Sequence, residues 1–112
     1  METRLLIYEN DFARFFESLS QKSKQYFYDG LFIMDSLGLD PNVVPYLKEI
    51  PHSRGLMELT IFCEEGEGGI LCFDGYDGRI IVAVGYIRIK GQIPPQSLSR
   101  AEQLREQYFL NE

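Results

Sequence analysis

Hydrophobic residues recur with a period of two from residue 56 onward, and this pattern constrains the fold more than any other feature of the chain. Residues 56–63, 70–73 and 79–89 are rich in β-branched and large apolar side chains, which predicts three strands. The stretches between them, residues 64–69 (EEGEGG) and 74–78 (DGYDG), are rich in Gly and acidic residues and predict tight turns. Strands joined this closely pair in antiparallel fashion, so the chain is predicted to contain a three-stranded meander.

Helical patterns flank the meander on both sides. Asn10 or Asp11 can cap a first helix. Its apolar side chains have helical spacing and form one stripe, made of Phe12, Phe15, Phe16 and Leu19. A second helix is predicted at about residues 22–37, where apolar residues cover a wide arc and therefore predict thorough burial. A third is predicted at about residues 96–110, directly after a double proline.

The remaining segments complete a simple element order. Residues 4–8 (RLLIY) predict a short strand before the first helix. Residues 40–53 contain three prolines and predict a connection, with one helical turn at residues 43–47. The order is strand, two helices, three-stranded meander and helix, and 112 residues suit a single domain, residues 1–112. We therefore predict an α+β fold with a small antiparallel sheet, two N-terminal helices and one C-terminal helix.

Strand alternation also predicts which side chains lie together. In the last strand one face is predicted to carry Ile80, Val82, Val84 and Tyr86, continued by Arg88 and Lys90. If the EEGEGG turn centres near residue 67 or 68, Cys63 and Cys72 would lie opposite each other. In a reducing compartment the default for this pair is two packed thiols, and a redox switch is the alternative.

Charge and composition limit the classes of function. The net charge is −6, and residues 56–78 contain six acidic residues and no Lys or Arg. Nucleic-acid binding needs cations, so such a role would have to come from residues 79–112, which contain five Lys or Arg against three acidic residues. No apolar run reaches the ~20 residues that span a bilayer, and acidic residues interrupt any N-terminal signal peptide, so a cytoplasmic protein without membrane partners is expected. The lone His52 has no ligand-spaced neighbour, so neither a metal site nor a cofactor is predicted.

The closing segment carries a family resemblance. Gly85-Tyr86-Ile87-Arg88-Ile89-Lys90, followed by Pro94 and by Ala101 seven residues later, resembles a Gly-Phe-x-Lys-Lys-Thr strand end and the helix after it. Those features belong to the RelE/ParE toxin superfamily, in its phage-derived, HigB-like branch of bacterial type II toxin–antitoxin systems. Upstream, residues 16–19 (FESL), 56–59 (LMEL) and 69–73 (GILCF) resemble further family segments in the same order. The resemblance spans roughly residues 12–108.

The resemblance implies a RelE-like fold and a ribosome-dependent mRNA endoribonuclease. Such enzymes activate a ribose 2′-OH against the adjacent phosphate, which requires a base, an acid and cations that stabilise the developing negative charge. Carried over by position, Arg88 and Tyr86 are the candidate catalytic residues, with Lys90 beside them. Arg79, Arg88 and Lys90 are the candidate RNA-binding residues. The implied partners are a small helix-turn-helix antitoxin and the ribosome with its mRNA.

The chain departs from the family pattern at three cationic positions, one of which is Ile89, where the family has the second Lys of its Lys-Lys pair. Thr60 and Gly69 stand where the family has Arg. Each lost charge-stabilising donor can cost about 3 kcal/mol of transition-state stabilisation. The alternative is therefore a catalytically degenerate RelE-like protein that acts as a protein-binding module. For the acidic turns the alternatives are solvated surface, a cation site or a face for a basic partner.

Overall fold

The computed structural model describes residues 6–111, which form a five-stranded mixed sheet with helices on both faces. In chain order the elements are β1 (Leu6–Tyr8), α1 (Asn10–Glu17), α2 (Gln21–Leu37), β2 (Leu47–Glu49), β3 (Met57–Cys63), β4 (Gly66–Asp74), β5 (Ile80–Ile87) and α3 (Pro95–Leu110). The α+β class is confirmed, and the predicted elements occur in the predicted order, with one further strand, β2, between α2 and β3. The predicted first strand, residues 4–8, lies partly outside the described residues, and its described part is β1.

The strands lie in the order β1-β5-β4-β3-β2. The predicted meander is confirmed, because β3, β4 and β5 pair in antiparallel fashion. The sheet is mixed because β1 pairs with β5 in parallel. Residues 43–47 do not form the predicted helical turn, since Leu47 begins β2, which pairs with β3. A three-residue edge strand among prolines carries too little periodicity to be detected in the sequence.

Two apolar cores lie on opposite faces of the sheet. The first packs α1 and α2 against it, through Phe12, Leu19, Phe27, Leu31, Met34, Ile70, Cys72, Ile80 and Val82 among others. The second packs α3 against the other face, through Leu56, Leu71, Phe73, Ile81, Val84, Tyr86, Ala101 and Leu104 among others. Helix α2 is buried along one stripe only, so the thorough burial predicted from its composition is wrong.

The turn between β3 and β4 is shorter and earlier than predicted. It consists of Glu64 and Glu65, and β4 already begins at Gly66. The glycines of EEGEGG are strand residues. Gly68 and Gly69 lack side chains at positions where the side chains of Phe27 and Tyr86 occupy the space above the strand. A Cβ on Gly68 would lie 2.7 Å from Cζ of Phe27. A glycine-rich run therefore marks close approach of side chains here rather than a loop.

The early turn changes the pairing of the two cysteines. Cys63 pairs with Gly66, and Cys72 pairs with Met57, so the prediction that they lie opposite each other is wrong. Both are free thiols, as the default interpretation expected. Burial raises the pKa of the Cys72 thiol strongly, so it stays protonated near neutral pH.

A β-bulge interrupts β5. Val82 pairs with Cys72 and Val84 pairs with Leu71, which leaves Ala83 as an extra residue. Ile80 and Val82 consequently face the α1–α2 core, whereas Val84 and Tyr86 face the α3 core. The prediction that these four side chains share one face is wrong, because a one-residue bulge reverses the alternation.

The acidic β3–β4 turn holds the start of α2. Ser23 Oγ donates to Glu65, the Ser20 main-chain N–H donates to Glu65 at 2.8 Å, and Ser20 Oγ donates to Glu64 at 2.6 Å. Carboxylates are favourable at a helix N-terminus, where main-chain N–H groups lack partners. These hydrogen bonds lower the pKa of Glu65, first through Ser23 and then through Ser20. At this turn the acidic residues therefore stabilise the fold rather than simply solvating a loop.

We expect Glu65→Gln to lower the melting temperature at neutral pH. The folded-state pKa of Glu65 lies below its ordinary value of 4.5, so the stabilising contribution is present above that pH and is lost as the pH falls further. The difference in Tm between wild type and variant should shrink between pH 7 and about pH 3. Glu106→Gln on exposed α3 is the matched control and should have no such difference. A difference that is independent of pH would contradict the assignment.

Within residues 6–111 no helix has the length and apolar character needed to cross a membrane. Among the same residues no group of three or more His, Cys, Asp or Glu side chains is placed to hold a metal ion.

Candidate functional site

A buried carboxylate lies at the centre of the candidate site. Glu58 is on β3 and is 0% exposed, within a run of apolar strand residues. An isolated ionised carboxylate in such a position is very costly, so it requires cations and hydrogen-bond donors. The side chains that supply or compete for these contacts form the Glu58 cluster, made of Lys48, Glu58, Glu67, Tyr86 and Arg88.

Three residues contact Glu58 from two directions. From β5 the Tyr86 hydroxyl donates a hydrogen bond to Glu58 Oε2. Beyond the end of β5, Arg88 Nη2 lies 2.7 Å from Glu58 Oε1 and 2.6 Å from Oε2. From the edge strand β2, Lys48 Nζ lies 3.6 Å from Oε1. Lys48 is directly opposite Glu58 in the β2–β3 ladder, so strand pairing itself places this cation.

Each of the three nitrogens of the Arg88 guanidinium lies within 3 Å of an oxygen atom of another residue. Its Nη1 donates to the Gly91 carbonyl oxygen at 2.7 Å. Its Nε lies 2.9 Å from Glu67 Oε2, an ion pair that lacks hydrogen-bond alignment. The Arg88 side chain is only 12% exposed. Arg88 is therefore an internal ion-pair partner and does not present a free cation to solvent.

Tyr86 is held as a neutral phenol. Burial raises its pKa strongly, and the hydrogen bond to Glu58 raises it further. The ring lies directly over Gly69 on β4, where a Cβ would be 2.4 Å from the Tyr86 hydroxyl oxygen. No larger side chain fits at position 69 while Tyr86 reaches Glu58. The glycine at position 69 is thus coupled to the Tyr86–Glu58 hydrogen bond.

The other candidate residues lie elsewhere. Lys90 occupies an exposed two-residue turn with Gly91, in which both φ angles are positive, so it is not a strand residue beside Arg88 as predicted. Arg79 is exposed immediately before β5, at the end of the strand remote from Arg88. His52, for which the sequence offered no ligand-spaced partner, lies in the loop before β3 and lines the same pocket as Arg105 of α3. The structure therefore brings together only Tyr86 and Arg88 of the predicted site residues.

Glu58 and Lys48 are the members of the cluster that sequence reasoning missed. A signal was present, since Glu58 is the one charged residue in the run of residues 56–63. A charge in a buried strand demands a partner, although sequence spacing does not say which cation supplies it. With two cations and two carboxylates the cluster is formally neutral.

The sequence matches no model of a known protein family, and no curated protein matches it either.

Proposed function

We propose that this chain is a protein-binding module on a RelE-like scaffold and that it does not cleave mRNA. The observation that carries the proposal is the Arg88 guanidinium, whose nitrogens contact Glu58, Glu67 and the Gly91 carbonyl oxygen. A cation that stabilises a phosphorane must be free to approach the phosphate. Arg88 would have to leave a buried carboxylate to do so.

The remaining chemistry of the cluster also argues against phosphodiester cleavage. Tyr86 is protonated, so it cannot act as a base, and its proton is already donated to Glu58. Thr60 and Gly69 supply no cation. A neutral cluster in a chain of net charge −6 provides little attraction for the RNA backbone. Lys90 and Arg79 are exposed, but β5 separates them by its full length of eight residues, roughly 25 Å.

By resemblance the proposed partner is a small helix-turn-helix protein encoded beside this chain, and the proposed location is the cytoplasm. The mRNA endoribonuclease, which the resemblance implied first, is the alternative to this proposal. It would require the Glu58 cluster to open on the ribosome and release Arg88.

Induced expression in a bacterium distinguishes the two functions. We expect growth equal to that of an empty vector and no new mRNA 5′ ends by primer extension, with an active RelE-type toxin as the positive control. Growth arrest with ribosome-dependent cuts would overturn the proposal. The matched variants are Arg79→Ala and Lys90→Ala, because both residues are exposed and their removal should leave the fold intact. Arg88→Ala alone is unsuitable, since loss of activity could reflect loss of stability.

A further inference from the structure

An open apolar groove runs along one side of α2. From Tyr26 onward this helix is largely apolar, yet Tyr26, Tyr28, Phe32, Ile33 and Leu37 are exposed. A helix of that composition is normally covered on more than one face. The uncovered side faces the edge of the sheet, and the space between them is the α2 groove, lined by Tyr26, Asp29, Gly30, Ile33, Val44, Pro45, Tyr46, Leu59, Thr60, Ile61 and Phe62.

Two exposed aromatic rings form the outer wall of the α2 groove. Tyr46 is 68% exposed and Phe62 is 58% exposed, and their ring centroids are 5.5 Å apart in an edge-to-face arrangement. Tyr46 also has a φ of 64°, a left-handed conformation that costs a bulky residue on the order of 1–3 kcal/mol. This conformation directs an aromatic side chain into solvent, where no core packing compensates for the strain. Exposed aromatic residues of this kind are typical of the centres of protein interfaces.

Among the described strands, none pairs with β3 beyond Thr60 on its β2 side. The Thr60 N–H donates to the Tyr46 carbonyl oxygen at 3.1 Å, which is the last contact from the β2 side. The main-chain N–H and C=O groups of successive strand residues point to opposite sides of the strand. The groups of Phe62, two residues after Thr60, therefore point to the same side as those of Thr60, at a level where β2 has ended. The α2 groove therefore offers a hydrogen-bonding main-chain edge next to its apolar surface.

The charge around the α2 groove distinguishes between the proteins that could bind there. Among the described residues, Asp29 is the one charged residue that lines the α2 groove, where it accepts a hydrogen bond from Gln25. The chain has a net charge of −6. A second copy would bring a second Asp29 and the same net negative charge to this surface, which like-charge repulsion disfavours.

We propose that the α2 groove binds an apolar segment flanked by Lys or Arg from a separate protein. The proposal rests on the protein-binding function above and gives it a surface and a partner chemistry. The apolar side chains of the segment would cover Ile33 and Phe62, and its cation would pair with Asp29. The Glu58 cluster takes no part in this contact.

Site-specific photocrosslinking tests the surface. Phe62→p-benzoylphenylalanine places the photoreactive group in the α2 groove with little change in shape. The matched control is Ile89→p-benzoylphenylalanine, at a comparably exposed apolar position after β5. Both full-length variants are expressed in the native host and irradiated, and the crosslinked segment is identified by mass spectrometry. We expect a single protein crosslinked from position 62 and not from position 89, through a segment with Lys or Arg beside apolar residues.

The crosslinked segment is then synthesised, and its affinity for the full chain is measured. We expect Phe62→Ser to weaken binding about tenfold, as for an interface residue at the centre of a contact. Asp29→Asn should weaken it less and should also reduce the salt dependence.

The outcomes separate the two proposals. Crosslinks from position 89 alone would overturn the groove and leave the protein-binding function standing. An absence of crosslinks at both positions would overturn both. A neutral or acidic segment, or a second copy of the chain, crosslinked at position 62 would overturn the partner chemistry.

Discussion

Arg88→Ala is expected to lower the free energy of unfolding by about 3 kcal/mol, because the substitution leaves Glu58 buried with its main cation removed. Glu58 is 0% exposed, and Lys48 at 3.6 Å is a weaker, largely solvated partner. A domain of this size has a total stability of roughly 5–15 kcal/mol, so the loss is a large fraction of it. Urea denaturation followed by circular dichroism measures the change.

Two further variants identify the cause of that loss. Arg79→Ala removes the same side chain from an exposed position and should cost at most about 0.5 kcal/mol. Glu58→Gln in the Arg88→Ala background removes the orphaned charge while keeping an acceptor for Tyr86, so this double variant should be more stable than Arg88→Ala alone. If it is equally unstable, the buried ion pair is not the source of the cost.

Gly69→Ala is the second substitution with a large expected effect, also about 3 kcal/mol. The added Cβ would lie 2.4 Å from the hydroxyl oxygen and 2.5 Å from Cζ of Tyr86. The ring cannot move aside cheaply, because it is buried and its hydroxyl donates to Glu58. Overpacking costs about 1–3 kcal/mol, and a displaced hydrogen bond to a charged group adds to this.

A double-mutant cycle with Tyr86→Ala tests the proposed clash. With the ring removed, Gly69→Ala should be close to neutral, since Ala is at least as favourable as Gly within a strand. Chemical denaturation of the four proteins gives the coupling free energy directly. Equal costs for Gly69→Ala in both backgrounds would show that Tyr86 is not what excludes a side chain at position 69.

Together these two predictions describe a site in which Tyr86 and Arg88, the two predicted catalytic residues, are both bonded to Glu58. The ring of Tyr86 occupies the space that a side chain at position 69 would need, and Glu58 engages the one matching cation, Arg88. The same site is compatible with a scaffold whose function lies on another surface, such as the α2 groove.

The elements with strong periodicity could be predicted from the sequence. The stripe of Phe12, Phe15 and Phe16 specifies α1, the apolar spacing of residues 22–37 specifies α2, and the double proline marks the start of α3. The meander could also be predicted, because short connections leave antiparallel pairing as the one solution. Glycine was less informative, since Gly68 and Gly69 are strand residues whose missing side chains make room for Phe27 and Tyr86.

With the exception of β2, local pattern thus determined which segments of this chain are helices and which are strands, because helix and strand periods depend on neighbouring residues alone. Only the tertiary structure decided which side chains meet. The bulge at Ala83 turns Tyr86 to the face of Glu58, and the two-residue turn at Glu64 and Glu65 sets the β3–β4 register. A shift of one residue in either place exchanges the two faces of a strand, and the energies that choose the register come from packing across the sheet.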